Sequence, residues 1–329
     1  MGFRKVLVTG GAGYVGARLV PRLIEEEYQV TVLDLMIYGD DVLPESNQKL
    51  QIVRGDIRDQ QLLRQIIPGH DAIIHLACIS NDPSFELNPA LGKSINKDAF
   101  EPMVEIAKDQ GVRRFLYASS SSVYGIKEED NVNEDMTLEP LTDYSKFKAE
   151  CEEILNSYIS ETFEPVTIRP ATVCGFSKRQ RLDVVVNILT NLAYHKREIT
   201  VFGGEQLRPN IHIDDMVEAY IVMLNAASKQ VSGEIFNVGY ENQSVQCLAE
   251  TVRGVVGSDV TLSTVPTDDN RSYHISSEKV RRTLGFRASH SVEEAVRDLV
   301  TAFDQGVLPD SLHDERYFNI KRMQSLNLE

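Results

Sequence analysis

The sequence predicts an α/β fold in which a doubly wound parallel sheet is followed by a smaller C-terminal α/β region. Three observations lead to this prediction. Short apolar runs rich in β-branched residues alternate with stretches of helical spacing in the first half of the chain, which is typical of buried parallel strands joined by helices. A glycine-rich turn follows the first apolar run. The alternation loosens after about residue 172, so we place the second, substrate-binding region at 172–329.

The individual elements follow from the spacing of apolar residues. Six apolar runs are predicted to be strands of the sheet: 5–10, 29–34, 50–56, 71–77, 113–120 and 164–170. Helical spacing predicts helices over 16–27, 59–67, 183–195, 214–228 and 291–306, with further strands at 198–204 and 233–239. No linker rich in proline and glycine separates the two halves. We therefore expect close packing, with segments near 210–240 returning to the first domain, residues 1–171.

Composition limits the location and the partners of the protein. The four cysteines form no CxxC pair, which argues against a metal site or a disulfide framework and favours a reducing compartment. No apolar run approaches the roughly 18 residues that would span a membrane, and a strand follows Met1 too closely for a signal peptide. The net charge of −15 is unfavourable for nonspecific nucleic-acid binding. A cytoplasmic protein without metal, membrane or nucleic-acid partners is expected.

The strongest local motif is the glycine-rich turn in "VLVTGGAGYVG", between the first predicted strand and the first predicted helix. Gly10, Gly13 and Gly16 permit a tight turn and the close approach of a diphosphate, which the helix N-terminus can bind. Asp34 ends the second predicted strand, where a carboxylate accepts hydrogen bonds from the adenosine ribose. The two residues after Asp34 are apolar, with no arginine for a 2′-phosphate. The motif predicts a Rossmann site that binds NAD in preference to NADP.

Two tyrosine–lysine pairs have a spacing that places both side chains on one face of a helix. They are Tyr144 with Lys148 in "YSKFK", and Tyr317 with Lys321 in "YFNIK". Residues four apart share a helix face, and an adjacent ammonium lowers the pKa of a tyrosine, which makes it a usable proton acceptor. Spacing alone does not choose between the two pairs.

Six motifs, in order, resemble the extended short-chain dehydrogenases/reductases that act on nucleotide sugars: "TGGAGYVG", "GDIRD", "HLA", "YASSSSVYG", "YSKFK" and "RPNIHIDD". The resemblance spans nearly the whole chain, and the family includes UDP-glucose 4-epimerases and dTDP-glucose 4,6-dehydratases. It implies that Tyr144 is the catalytic acid/base, and that Lys148 lowers its pKa and binds the nicotinamide ribose. Ser120 would then hydrogen-bond the sugar hydroxyl that is oxidised. Tyr317 and Lys321 lie outside this context.

The resemblance also implies which residues bind each ligand. For NAD it implies Gly10, Gly13, Tyr14, Val15, Gly16, Asp34, Asp56, Ile57, Leu76, Ala77, Cys78, Tyr144, Lys148 and Pro170. For the nucleotide sugar it implies Ser120, Thr172, Arg179, Arg181, Asn187, Arg208 and Arg271. Arginine is suited to this second task because its guanidinium fork matches phosphate oxygens. An acidic chain needs such local cations to bind a diphosphate.

Two departures from the family pattern narrow the expected chemistry. The related 4,6-dehydratases carry an Asp-Glu pair just after the catalytic Ser or Thr, whereas this chain has Ser121 and Ser122. A hydroxyl does not readily replace a carboxylic acid as a proton donor near neutral pH, so 4,6-dehydration is disfavoured. Thr172 stands where many relatives have an asparagine that binds the substrate diphosphate. The basic segment that follows, "GFSKRQRLDVVVN", resembles relatives that modify GDP-heptose.

The expected function is that of an NAD-dependent nucleotide-sugar 4-epimerase acting through a transient 4-keto sugar. A 4-dehydrogenase or a reductase, also acting on a nucleotide sugar such as a GDP-sugar, is the nearest alternative. A 4,6-dehydratase and a catalytically silent NAD-binding regulator are further alternatives. The resemblance also implies a homodimer, formed through helices at about 95–110 and 145–160. The nucleotide base and the sugar stay open.

Overall fold

A computed structural model describes residues 3–267 and 272–326 as an alternation of strands and helices. The strands are β1 (Lys5–Thr9), β2 (Gln29–Asp34), β3 (Leu50–Arg54), β4 (Ala72–His75), β5 (Arg114–Ala118), β6 (Glu164–Pro170), β7 (Thr172–Cys174), β8 (Glu198–Phe202), β9 (Leu207–His212), β10 (Glu234–Val238), β11 (Glu241–Ser244) and β12 (Thr261–Val265). The helices are α1 (Gly16–Glu25), α2 (Gln60–Ile66), α3 (Asp82–Leu87), α4 (Pro89–Lys93), α5 (Phe100–Asp109), α6 (Asp143–Ser157), α7 (Val185–Lys196), α8 (Ile213–Asn225), α9 (Ser228–Val231), α10 (Val245–Val256), α11 (Glu278–Leu284), α12 (Val292–Asp304) and α13 (Asn319–Leu326). A π-helical turn covers Ser94–Asp98, and 3₁₀ turns cover Ser121–Tyr124 and Glu315–Tyr317.

The largest sheet has seven strands in the order β3-β2-β1-β4-β5-β6-β10. Every neighbouring pair in it is parallel, which confirms the predicted doubly wound sheet. The chain order reverses between β1 and β4. Ligands of such sheets bind at this reversal, beyond the carboxyl ends of the strands.

Helices cover both faces of the seven-stranded sheet, and each face has its own apolar core. On one face, strand residues pack with side chains from α1 and α8, including Leu19, Leu23, Tyr220 and Leu224. On the other face, the packing comes from α2, α5 and α6, including Leu63, Met103, Cys151 and Leu155. Burial on both faces explains why these strands read as continuous apolar runs in the sequence.

The second region contains two small sheets and a third apolar core. The strand β9 pairs in parallel with β7 and antiparallel with β11, while β8 and β12 form a parallel pair. The helices α7, α10 and α12 pack over this region in one apolar core. The sequence predicted β8, α7 and α12, but not the short strands β7 and β11.

The chain returns from the second region to the large sheet. The strand β10 pairs with β6 as the seventh strand. Helix α8 contacts α1, where Arg18 pairs with Asp214 at 2.6 Å and the Tyr28 hydroxyl donates to Asn225 Oδ1 at 2.7 Å. The domain boundary at residue 171 stays a prediction.

Among the described helices, none combines the length and the apolar character needed to cross a membrane.

Candidate active site

A cleft of about 480 Å³ lies at the carboxyl ends of the strands, between the large sheet and the second region. The predicted site residues that line it are Gly10, Gly13, Tyr14, Val15, Gly16, Asp34, Asp56, Ile57, Leu76, Ala77, Cys78, Ser120, Tyr144, Lys148, Pro170, Thr172, Arg179, Arg181 and Arg208. Asn187 is buried elsewhere, and Arg271 lies outside the described residues. The fold therefore brings most of the predicted residues together at the reversal of strand order, where ligands of such sheets bind.

The glycine-rich turn has the backbone geometry that a bound diphosphate needs. Gly10 has a φ of +75°, and a Cβ there would come within 2.5 Å of the backbone nitrogen of Ala77. A Cβ on Gly16 would lie 2.5 Å from the carbonyl oxygen of Gly11. The turn leads into α1, whose N-cap residue Val15 offers no side-chain cap to the first N–H groups. These donors and the helix dipole fit the diphosphate of a dinucleotide.

Asp34 is held at the end of β2 and lines the cleft. Its carboxylate accepts hydrogen bonds from the backbone N–H groups of Ala12, at 2.9 Å, and Met36, at 2.8 Å. Burial raises the pKa of the Asp34 carboxyl, while the two backbone hydrogen bonds and the charge of Arg179 oppose that rise. A carboxylate fixed beside the glycine turn fits the ribose hydroxyls of NAD.

Ser120, Tyr144 and Lys148 meet where β5 ends and α6 begins. Tyr144 is the second residue of α6, and the Lys148 ammonium lies 5.9 Å from the centre of its ring. Lys148 also donates a hydrogen bond to the carbonyl oxygen of Ala118, the last residue of β5, at 2.6 Å. The hydroxyl of Ser120 hydrogen-bonds that of Ser122 at 2.8 Å, and Ser120 acts to lower the pKa of the Tyr144 phenol. The three residues therefore line the cleft together, and their catalytic roles stay predictions.

The pKa of the Tyr144 phenol is raised in the structure, whereas the sequence predicted that Lys148 would lower it. Burial is the largest cause of the rise, and the carboxylate of Asp82 adds to it. The charge of Arg181 and the hydrogen bond with Ser120 act in the opposite direction. Burial of the phenol therefore outweighs the opposing effects of Arg181 and Ser120 on its pKa, and the effect of Lys148 on that pKa stays a prediction.

The second tyrosine–lysine pair lies away from the cleft. Tyr317 is buried and packs with Leu182 and Leu299 in a small apolar cluster. The Lys321 ammonium sits 4.2 Å from the centre of the Phe318 ring. Neither member of the pair lines the cleft. Tertiary structure thus distinguishes the two pairs that shared one spacing.

The side of the cleft formed by the second region carries three of the residues predicted to bind substrate. Thr172 is the first residue of β7, which follows β6 along the chain at the point where β6 ends at the cleft. Arg208 in β9 places its guanidinium carbon 5.8 Å from the centre of the Tyr273 ring. Arg181 forms an ion pair with Asp183 at 2.6 Å. These residues line the cleft together, and their substrate contacts stay predictions.

Asn187 does not reach the cleft, so its predicted substrate contact is corrected. Its side-chain oxygen accepts from the Gly175 N–H at 3.1 Å. Its side-chain nitrogen donates to the Tyr14 hydroxyl at 3.0 Å and to the Arg181 carbonyl at 2.8 Å. Both N–H donors of this fully buried amide are therefore engaged within the protein. Asn187 therefore connects Tyr14 of the glycine-rich turn with Gly175 and Arg181, in the segment that follows β7.

Arg179 lines the cleft beside Tyr38, whereas the sequence assigned it to the substrate. Its guanidinium carbon stands 3.6 Å from the centre of the Tyr38 ring, and Nη2 donates to Asn319 Oδ1 at 2.5 Å. Asp34 is near enough for the positive charge of Arg179 to act on its pKa. The sequence showed no arginine beside Asp34, but the fold brings one there from far along the chain.

Asp82 is a cleft residue that sequence reasoning missed. It opens α3, is 8% exposed and accepts a hydrogen bond from the Thr142 hydroxyl at 2.5 Å. Thr142 is the N-cap of α6 and exchanges hydrogen bonds with Ser145. Asp82 therefore anchors the helix that carries Tyr144 and places a carboxylate near its phenol. No spacing rule in the sequence joins positions so far apart.

A buried ion pair beneath the site was also missed. Glu152 in α6 pairs with Arg169 in β6 at 2.6 Å, and both side chains are 3% exposed. Glu152 also accepts a hydrogen bond from the hydroxyl of Ser119, which precedes Ser120. One sequence feature could have indicated the burial of Glu152. It follows Lys148 by four residues and so shares its helix face.

Sequence comparisons agree with this geometry. A family model described as the NAD dependent epimerase/dehydratase family matches residues 6–239. UDP-glucose 4-epimerase of Lactobacillus helveticus is 27% identical over 320 residues, which covers 90% of this chain and 94% of that protein. dTDP-D-glucose 4,6-dehydratase of Mus musculus is 28% identical over 319 residues, which covers 90% and 88% of the two proteins. Relatives with both activities are thus similar to the same degree.

Comparison with solved structures gives the same fold. A UDP-glucose 4-epimerase from Thermotoga maritima, determined with UDP-glucose, superposes with a TM-score of 0.83. The two proteins are 25% identical, and the match covers 92% of this chain and 99% of that one. The family match holds the glycine-rich turn, Asp34, Ser120, Tyr144 and Lys148 within one stretch. The chain therefore belongs to the NAD dependent epimerase/dehydratase family, and its cofactor is NAD.

Proposed function

We propose that the protein is a nucleotide-sugar 4-epimerase that works through a transient 4-keto sugar. The observation that carries the proposal is the pair of hydroxyls that follows Ser120 in the cleft, Ser121 and Ser122. A 4,6-dehydratase needs carboxylic acids there to eliminate water, and a hydroxyl is a poor proton donor near neutral pH. The chemistry that the site retains is oxidation and reduction at one carbon.

The chain's own residues supply the proton transfer in this mechanism. Tyr144 takes the proton of the sugar C4 hydroxyl and returns a proton once the ketone has been reduced on its other face. Ser120, which lines the cleft, holds the reacting oxygen. The charge of Arg181 lowers the phenol's pKa, and the Lys148 ammonium faces the same ring. Bound NAD supplies the hydride acceptor and donor.

The nucleotide-sugar diphosphate is assigned to the second region. Arg208 and Arg181 are the cations that we propose for it, and Thr172 stands where many relatives have an asparagine. Arg271, in the segment outside the described residues, stays a prediction for the same task. The homodimer through residues 95–110 and 145–160 also stays a prediction. A binding panel of UDP-, GDP-, dTDP- and CDP-sugars would identify the nucleotide.

Asp82 makes a 4,6-dehydratase the second candidate. It is a carboxylate in the cleft whose charge acts on Tyr144, and relatives with that activity are as similar as the epimerases. However, the Asp82 carboxylate accepts a hydrogen bond from the Thr142 hydroxyl. In addition, the dehydratases carry two acids directly after the catalytic Ser or Thr. One anchored carboxylate favours a positioning role.

The test uses the nucleotide sugar that binds, labelled with deuterium at C4. In ordinary water, we expect the label to return to C4 of the inverted product, with little accumulation of NADH. Labelled NADH together with a ketone would indicate a 4-dehydrogenase. A parallel reaction in heavy water that places solvent deuterium at C5 and yields a 4-keto-6-deoxy sugar would establish the dehydratase and refute the epimerase.

Asp34→Ala should weaken NAD binding and narrow the preference for NAD over NADP. The variant loses the charged carboxylate that accepts hydrogen bonds from the ribose hydroxyls, and we expect the affinity to fall by about 10- to 100-fold. It also loses the repulsion of a 2′-phosphate, while Arg179 stays nearby. Calorimetric titration with both dinucleotides checks this. A wild-type protein that already prefers NADP would contradict it.

Asp82→Asn should shift the pH profile of catalysis to lower pH. A carboxylate favours the neutral phenol over the phenolate, so Asp82 raises the pKa of Tyr144. Removing its charge lowers that pKa, and the phenolate needed as a base then forms at lower pH. The rising limb of kcat/KM against pH reports the shift. Asp143→Asn, which changes an exposed residue in the first turn of α6, is the control. If the rising limb of the Asp82→Asn profile stays at the wild-type pH, the proposed effect of Asp82 on the Tyr144 pKa is refuted.

A further inference from the structure

Arg179 is a buried cation whose hydrogen-bonding capacity is only partly used. It is 3% exposed, and its Nη2 donates to Asn319, while Nε and Nη1 have no hydrogen-bond partner among the described residues. Unpaired donors of a buried charged group are costly. Arg181, two residues later, has an ion pair with Asp183, and its Nη2 alone has no hydrogen-bond partner among the described residues. Oxygens of a bound anion would satisfy the two remaining nitrogens of Arg179.

The position of Arg179 indicates which anion this is. Its guanidinium stacks on Tyr38 and lines the cleft. Two residues earlier, the Ser177 hydroxyl donates to the carbonyl oxygen of Tyr14, in the glycine-rich turn, at 2.9 Å. The Tyr14 hydroxyl donates to the Gly175 carbonyl at 2.6 Å. The segment 175–179 is thus fastened across the turn from which α1 begins.

We infer that Arg179 binds the diphosphate of NAD, which then lies between the glycine-rich turn and a cation from the second region. A guanidinium N–H forms a charge-assisted hydrogen bond with a phosphate oxygen, and Nε and Nη1 of Arg179 are available for two such bonds. The turn and the helix N-terminus supply N–H donors and a partial charge, but no full positive charge. Asp34 adds a negative charge to the same cleft, in a chain whose net charge is −15. Asn319 is the positioning residue that holds the guanidinium.

Two other phosphate groups have the same chemistry. A 2′-phosphate on the adenosine ribose would meet the carboxylate of Asp34, which repels it. The diphosphate of the nucleotide sugar is assigned to Arg181 and Arg208 under the proposed function, and the titrations below distinguish it from the diphosphate of NAD. The inference depends on NAD as the cofactor and is independent of the proposed epimerase activity.

The test is calorimetric titration of nucleotide-free protein with NAD, ADP-ribose, NADP and adenosine. In Arg179→Gln we expect the affinity for NAD and ADP-ribose to fall by about 10- to 100-fold, as for the loss of charge-assisted hydrogen bonds. The affinity for adenosine, which has no phosphate, should not change. Lys178→Gln is the matched control, because it removes one positive charge from the adjacent, exposed position and should bind all four ligands as wild type does.

Equal affinity of Arg179→Gln and wild type for NAD and ADP-ribose would overturn the inference. A loss confined to NADP would assign Arg179 to a 2′-phosphate, and a loss confined to nucleotide-sugar binding by NAD-loaded protein would restore the substrate assignment. If circular dichroism shows that Arg179→Gln does not fold, Arg179→Lys replaces it. Lysine keeps the charge without the fork, so its affinity should be intermediate, and wild-type affinity would then refute the contact.

Discussion

Replacing Tyr144 with phenylalanine should lower kcat by about 10²- to 10⁴-fold, the usual contribution of a general acid/base. The change removes only the phenol oxygen, which carries the proton in the proposed mechanism. The ring, its contact with the Lys148 ammonium and the helix that carries both residues are retained. We therefore expect NAD binding to be nearly unchanged. Steady-state turnover of the identified nucleotide sugar and titration with NAD measure the two quantities separately.

The chain offers a matched control for this experiment. Tyr317→Phe removes the same atom from the tyrosine of the second pair, which is buried in an apolar cluster away from the cleft. Turnover of this variant should equal that of wild type. If Tyr144→Phe also keeps full turnover, the catalytic assignment of Tyr144 is wrong. If both variants lose activity equally, the loss reflects the packing of the protein.

Glu152→Ala should lower the free energy of unfolding by about 3–5 kcal/mol, the cost of leaving one partner of a buried ion pair alone. Arg169 would stay 3% exposed with its main carboxylate partner gone, and the Ser119 hydroxyl would lose its acceptor. Since Ser119 precedes Ser120, we also expect lower turnover. Urea denaturation followed by circular dichroism measures the stability.

Two variants separate the lost ion pair from other effects of the change. Glu153→Ala alters the adjacent but exposed residue of α6, so its stability should stay near that of wild type. The double variant Glu152→Leu with Arg169→Met replaces both charges by apolar side chains and should regain much of the lost stability. A decrease below about 1 kcal/mol in Glu152→Ala, typical of a solvent-exposed pair, would contradict the buried pairing.

The large sheet was predictable because its strands are buried on both faces. Such strands need continuous apolar runs, and β1 and β2 fall within the predicted 5–10 and 29–34. In the small sheets, only β8 was predicted from such a run. The strand β7 has three residues, and β11 reads ENQS. Their existence depends on pairing with β9, which a local pattern does not report.

The site was predictable where a residue belongs to a motif at the end of a strand, as Ser120 and Asp34 do. It was not predictable where the surroundings of a charge decide its role. Arg179 was predicted to bind the substrate and Arg169 was given no role, since the sequence does not show which side chains an arginine will meet. Their burial depends on Asn319 and Glu152, which no spacing rule connects to them. The direction of the Tyr144 pKa shift was likewise decided by tertiary burial.

The position of β10 as a neighbour of β6 means that the two regions are interleaved along the chain. A fragment cut after residue 171 would retain β6 as a bare sheet edge, and unpaired strand edges promote aggregation. It would also lose α8, which α1 contacts through Arg18. Grafting the sugar-binding side of a relative onto this scaffold would therefore require the exchange of two separate stretches, about 172–212 and 239–326, while the segment between them stays with its sheet.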